Sequence, residues 1–137
     1  MRTREEGMGT EAGTCTEQRC CAGRRYFCSV ELALQVIGGK WKPIILWHLR
    51  SGQSRRFGEL RRSMPNVTQK MLTQQLRELE GDGLLLRTVH PQVPPKVEYA
   101  LTDLGASVLP VLDQLCRWGA AFEASQPVRG DVARSAL

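Results

Sequence analysis

The chain has 137 residues, 42% of them hydrophobic and 24% charged, with a formal net charge of +5. That length suits one compact domain rather than two. No stretch approaches the roughly 18 apolar residues of a membrane span, and the N-terminus lacks the apolar core of a secretory leader. A cytoplasmic protein with reduced thiols and no membrane partner is therefore expected.

The charge is unevenly placed. Residues 1–39 balance to zero, residues 40–96 carry eleven basic groups against four acidic, and residues 97–137 are slightly acidic. A basic middle segment matches the electrostatic footprint of a phosphate-binding surface, and equally an ordinary basic face. The five cysteines, at 15, 20, 21, 28 and 116, are an odd number, which argues against a closed disulfide framework. No CxxC pair occurs, and His48 and His90 lie far apart. Neither a metal site nor a cofactor site is expected.

Residues 1–25 are rich in Gly, Thr, Glu and Arg and nearly devoid of aliphatic side chains. Such a segment buries too little apolar surface to offset its ordering entropy, so a flexible arm is expected there. Residues 125–137 read as a similar tail, which leaves the domain at 26–124. Val30, Leu34 and Ile37 recur at helical spacing until Gly38-Gly39 ends the helix. A second helix opens at Lys42-Pro43, where proline costs no backbone bond, and carries Ile44, Ile45, Trp47, His48 and Leu49. Ser51–Ser54 is a turn and Arg56-Phe57 a very short strand. Glu59–Met64 fits a third helix, stopped by Pro65-Asn66.

The fourth helix, Thr68–Asp82, has the clearest signals. Thr68 is a good N-cap, and Gly81 and Gly83 end the helix. On a helical wheel Gln69, Lys70, Thr73, Gln74 and Arg77 share one arc, and Met71, Leu72, Leu76 and Leu79 share the opposite one. Leu84–Val89 and Lys96–Leu101 read as two strands joined through the proline-stiffened tip His90–Pro95. From Thr102, a further N-cap, a last helix carries Leu104, Val108, Val111, Leu115, Trp118 and Phe122 in a heptad-like 4-3-4-3-4 seam. Pro110 is expected to kink that helix. A long apolar seam beside a small domain often covers a second subunit. Helices followed by a hairpin make a mainly α, α+β winged helix-turn-helix domain.

Four segments in order carry a family resemblance: Val36-Ile-Gly-Gly-Lys-Trp-Lys-Pro43, Phe57-Gly-Glu-Leu-Arg-Arg62, Met71-Leu-Thr-Gln-Gln-Leu-Arg-Glu-Leu-Glu80 and Pro94-Pro-Lys-Val-Glu-Tyr-Ala-Leu-Thr102. The chain resembles the HxlR-type regulators, winged-helix proteins related to the MarR type, over about residues 28–122. The resemblance implies a homodimer built by the first and last helices, with two recognition helices and two wings on a double-stranded DNA operator. Several members answer oxidants, quinones or aldehydes through a cysteine near the start of the first helix. Cys28 stands at that place, with Ser29 where many members have proline. The cysteines at 15, 20 and 21 lie outside the shared region.

On this reading Gln69, Lys70, Thr73, Gln74 and Arg77 face base edges, where Gln and Arg can make paired hydrogen bonds to adenine and guanine. Lys40, Lys42, Arg61 and Arg62 are candidates for backbone phosphates, and Arg87 and Lys96 for contacts from the wing. Val30, Leu34, Leu104, Val108, Val111, Leu115, Trp118 and Phe122 are the candidate dimer interface. Trp41 and Trp47 are expected in core or interface, as is Cys116, and His48 among apolar neighbours. Cys28 is read either as an inert small apolar residue or as a redox-sensing thiol, aided by Arg24 and Arg25. A small-molecule or oxidant effector is an expected partner. An enzyme is disfavoured, since no phosphate-cradling glycine loop, HExxH or GxSxG occurs. The alternatives are a winged-helix protein-interaction module and a ligand-responsive regulator without thiol sensing.

Overall fold

The computed structural model describes residues 17–127. The chain runs β1 (Arg19–Cys21), β2 (Arg24–Tyr26), α1 (Ser29–Ile37), α2 (Trp41–His48), β3 (Arg55–Arg56), α3 (Phe57–Ser63), α4 (Gln69–Gly81), β4 (Leu85–His90), β5 (Lys96–Leu101), α5 (Asp103–Ala106) and α6 (Leu109–Ser125). The expected strands and helices of the domain are present. Among the described residues no helix is long and apolar enough to cross a membrane.

The core is assembled from the inner faces of α2, α3 and α4 and the first residues of the wing. Ile45, Leu46 and Leu49 meet Leu60, Met64, Val67, Leu72, Leu76, Leu79, Leu84 and Leu85, all essentially buried. Leu112 of α6 closes the cluster. Burial of this apolar surface, rather than helix propensity, holds such short helices in place. Trp41 and Trp47 pack against the cluster, and Arg50 lies 4.4 Å from the centre of the Trp47 ring. His48 is half-buried. Burial, helped by Arg50 and Arg55, holds its imidazole below the usual histidine range.

The wing is antiparallel, with Leu85 opposite Leu101 and His90 opposite Lys96. β3 pairs with the other edge of β5, Arg55 opposite Tyr99, so the sheet order is β3-β5-β4. This ties the start of α3 to the wing across some 40 residues of sequence. The start of α3 is secured by the backbone N–H of Arg56, which donates to the Glu59 carboxylate at 2.9 Å.

Two expectations need correction. The arm expected over residues 1–25 does not stay irregular to its end. Arg19–Cys21 and Arg24–Tyr26 form a hairpin, with Arg19 opposite Tyr26, turned through Ala22 and Gly23 at positive φ. Tertiary partners replace the missing apolar side chains: Arg24 makes two hydrogen bonds to Asp82, at 3.1 and 2.8 Å, and Arg19 donates to the Phe27 carbonyl. Residues 1–16 and 128–137 lie outside the described residues. The second correction concerns Pro110. It does not kink a continuous helix. The chain breaks at Ser107-Val108, and Pro110 sits in the first turn of α6, where its missing N–H would have had no helical partner.

Candidate nucleic-acid interface

α3, the turn at 64–68 and α4 form the helix-turn-helix. Thr68 caps α4, its hydroxyl accepting from the Met71 N–H at 3.0 Å. Leu72, Leu76 and Leu79 anchor the inner face, which turns the opposite face to solvent by helical geometry alone. Met71, expected on the inner face, is 41% exposed and receives the Gln75 amide on its sulfur at 3.7 Å.

The structure brings the five predicted recognition residues together. Gln69, Lys70, Thr73, Gln74 and Arg77 line one open depression of about 490 Å³. Gln69, Lys70, Gln74 and Arg77 are exposed and Thr73 is half-buried, its hydroxyl donating to the Gln69 carbonyl at 2.8 Å. A second, polar depression lies where α4 meets the wing, lined by Thr73, Arg77, Glu80, Arg87 and Tyr99. Thr73 and Arg77 belong to both, so the two depressions adjoin, and Arg77 and Arg87 line the one between the helix and β4.

The remaining basic candidates divide. Arg62 and Arg87 are exposed. Lys40 is exposed with its ammonium 4.8 Å from the centre of the Trp41 ring. Arg61 donates from Nε to the Val67 carbonyl at 3.3 Å and so braces the turn before α4. Lys42 is a correction: it is only 7% exposed, and its ammonium pairs with Glu78 at 2.7 Å. A buried, paired ammonium is not presented to phosphate. Lys96 is half-buried and 3.5 Å from Glu98. Glu98 accepts from His90 at 2.9 Å as well, and its carboxyl is held below the usual range, chiefly by His90 and then by Lys96.

Sequence reasoning missed Glu78 and Asp82. The Gln74–Glu78 pair had a legible signal in its i,i+4 spacing. The links Lys42–Glu78 and Arg24–Asp82 join residues 36 and 58 positions apart, and nothing local announces them.

The apolar seam divides too. Val30, Leu34, Leu104, Val111, Leu115, Trp118 and Phe122 are between 52 and 66% exposed, and the Trp118 and Phe122 rings stack at 5.4 Å. Val108 departs from the expectation: it is half-buried and packs on the core. Cys28 is the N-cap of α1, half-buried. The Phe27 N–H just before it is taken by Glu31 at 2.7 Å. Cys20, Cys21 and Cys116 are exposed.

A helix-turn-helix with an outward polar face, flanked by an antiparallel wing, defines a winged helix-turn-helix DNA-binding protein. The chain belongs to the HxlR-like helix-turn-helix family, whose model matches residues 36–127. It is 61% identical over 97 residues to the uncharacterized HTH-type transcriptional regulator YtcD of Bacillus subtilis, covering 71% of this chain and 76% of that one. An uncharacterized HTH-type transcriptional regulator of Methanothermobacter thermautotrophicus is 52% identical over 108 residues, covering 79% of this chain and 82% of that one. Among solved structures, the redox regulator HypR in its oxidized form is 51% identical with a TM-score of 0.66, over 74% of this chain and all of that one. The protein is a DNA-binding transcriptional regulator, not an enzyme.

Proposed function

We propose that the protein acts as a homodimer that reads a roughly palindromic operator, each copy placing α4 in a major groove and its wing beside it. The observation that carries the reading is the contrast between the two sides of the molecule. The core is closed, yet seven large apolar side chains of α1, α5 and α6 stand half or more exposed. A second copy laid on the same seam covers them, and a two-fold axis through that seam sets two α4 helices apart at a fixed distance. Half-sites about one helical turn apart follow. Gln69, Lys70, Thr73, Gln74 and Arg77 meet base edges, and Lys40, Arg62 and Arg87 meet phosphates.

Light scattering during size-exclusion chromatography tests the assembly: twice the chain mass supports it, and the chain mass alone refutes it. A gel shift on the DNA upstream of its own gene, repeated across a salt series, tests the contacts. Affinity falling steeply with salt supports phosphate contact. Flat behaviour favours a protein partner instead.

The second part of the reading concerns control. Cys28 acts as an oxidant-responsive thiol at the entry to the dimerising helix α1. Its support is its placement as the α1 N-cap and the likeness to a regulator named for redox sensing. Diamide oxidises two thiols to a disulfide and is itself reduced to the hydrazine. Loss of DNA affinity on treatment, absent in Cys28→Ser, supports this role. An unchanged response in Cys28→Ser refutes it. The alternative is a regulator that answers a ligand without thiol chemistry. It is favoured by an apolar cavity of about 430 Å³ beside α1, bounded by Leu32, Val36, Leu84 and Val108.

A further inference from the structure

Glu78 lies on the recognition helix but outside the five residues expected to meet bases. Its carboxylate has two partners, one on each oxygen. Oε1 receives the buried ammonium of Lys42 at 2.7 Å. Oε2 receives the side-chain amide nitrogen of Gln74 at 2.6 Å. Lys42 comes from α2, deep against the core. A continuous polar link therefore runs from the interior, through Glu78, to an exposed side chain on the reading face.

The chemistry of the link settles which way Gln74 points. An ionised carboxylate only accepts hydrogen bonds. Gln74, and then Lys42, hold the Glu78 carboxyl below its usual range, so it is ionised at neutral pH. The Gln74 amide must therefore turn its NH2 toward Glu78, which leaves its carbonyl oxygen facing away. A free glutamine can present either end and so adapts to several bases. This one is set.

We propose that Glu78 is a specificity-determining positioning residue, which orients the Gln74 amide so that its oxygen faces the DNA and selects a base bearing an exocyclic amino group, adenine or cytosine. In the major groove adenine offers N6–H and cytosine N4–H as donors, while guanine O6 and thymine O4 only accept. The inference rests on the reading of α4 as the base-contacting helix.

Replacing Glu78 by glutamine gives a sharp consequence. The Lys42 ammonium has no acceptor capacity and demands an oxygen. The new amide gives Lys42 its oxygen and so turns its NH2 toward Gln74. Gln74 must then flip, offering its oxygen inward and its NH2 outward. The preferred base passes from an amino-bearing to a keto-bearing one.

The test is in vitro selection of sites from a randomised duplex library, using the full chain in four forms: wild type, Gln74→Ala, Glu78→Gln and Glu78→Ala. In the wild type, one position of each half-site favours adenine or cytosine by roughly fivefold or more. Gln74→Ala flattens that position and identifies it. Glu78→Gln exchanges its preference for guanine or thymine, and the other positions stay as they were. Glu78→Ala frees the amide and broadens the same position, which keeps the proposal testable if the glutamine variant fails to fold. A purely structural role for Glu78 would weaken all positions together. If that one position keeps its base or merely flattens under Glu78→Gln in a folded protein, the orienting role is overturned. If the glutamine variant does not fold, an unchanged position under Glu78→Ala overturns it. If the wild type enriches no motif at all, the base-reading role of α4 fails, and the inference with it.

Discussion

Leu76 and Arg77 are chain neighbours on opposite faces of α4, so a pair of alanine substitutions separates stability from recognition. Leu76 is 1% exposed, surrounded by the core of α2, α3 and α4. Truncating a leucine so placed costs the transfer term plus the cavity term, about 3 kcal/mol within a range of about 2–5. For a domain of this size that lowers Tm by roughly 12–24 °C. Arg77 is exposed on both depressions, so its removal should change stability by no more than about 0.5 kcal/mol. If it makes a base contact, its loss costs about 1–3 kcal/mol of binding, or about 5–150-fold in Kd. The assays are thermal melts at one fixed protein concentration, because the proposed dimerisation would make Tm concentration-dependent, and fluorescence anisotropy on a selected site at fixed salt. The expected result is a crossed pattern: Leu76→Ala melts early, and Arg77→Ala melts normally but binds weakly. An Arg77→Ala protein that binds selected and scrambled DNA as the parent does would refute the assignment of this face.

Three further substitutions probe other parts of the molecule. Gly105→Ala places a Cβ against the Leu84 carbonyl group, 3.1 Å from its carbon and crowded against its oxygen. The backbone of α5 and that of Leu84, just before β4, must then separate, so a loss of about 1–3 kcal/mol in urea unfolding is expected. Trp118→Glu puts a charge into the exposed seam beside Phe122, and sedimentation should show a shift from dimer to monomer with the helical circular dichroism retained. For His48 the folded pKa lies below the unfolded value of 6.5, chiefly through burial. Its contribution is therefore intact above pH 6.5 and is lost as pH falls toward the folded pKa, because the unfolded chain binds the proton first. His48→Gln should flatten that part of the stability profile, and a slope unchanged by the substitution would exclude His48 as its source.

Much of this architecture was legible because its causes are local. The polar arc of α4, its Thr68 cap and its glycine stop lie within 16 consecutive residues, and the structure gathers all five arc residues around one depression. The wing strands were legible for the same reason. The break before α6 was misread because Pro110 suits both a kink and a first turn. The i→i−3 bonds from Val108 to Gly105 and from Val111 to Val108 mark the break.

Two of the remaining differences are tertiary. Residues 19–26 carry too little apolar surface to announce a hairpin, and it is the partner Asp82, 58 residues beyond Arg24, that gives it an anchor. The expectation that Lys42 is an open basic group fails because sequence shows charge but not what folding sets opposite it, here Glu78. Glu98 is two residues from Lys96 on the same strand, so that pair follows from strand alternation. Periodicity and capping by themselves determined that a polar helix face exists and which residues share it, since both act within a few turns of the chain. That Glu78 also receives the buried ammonium of Lys42 was decided only when α2 packed across α4.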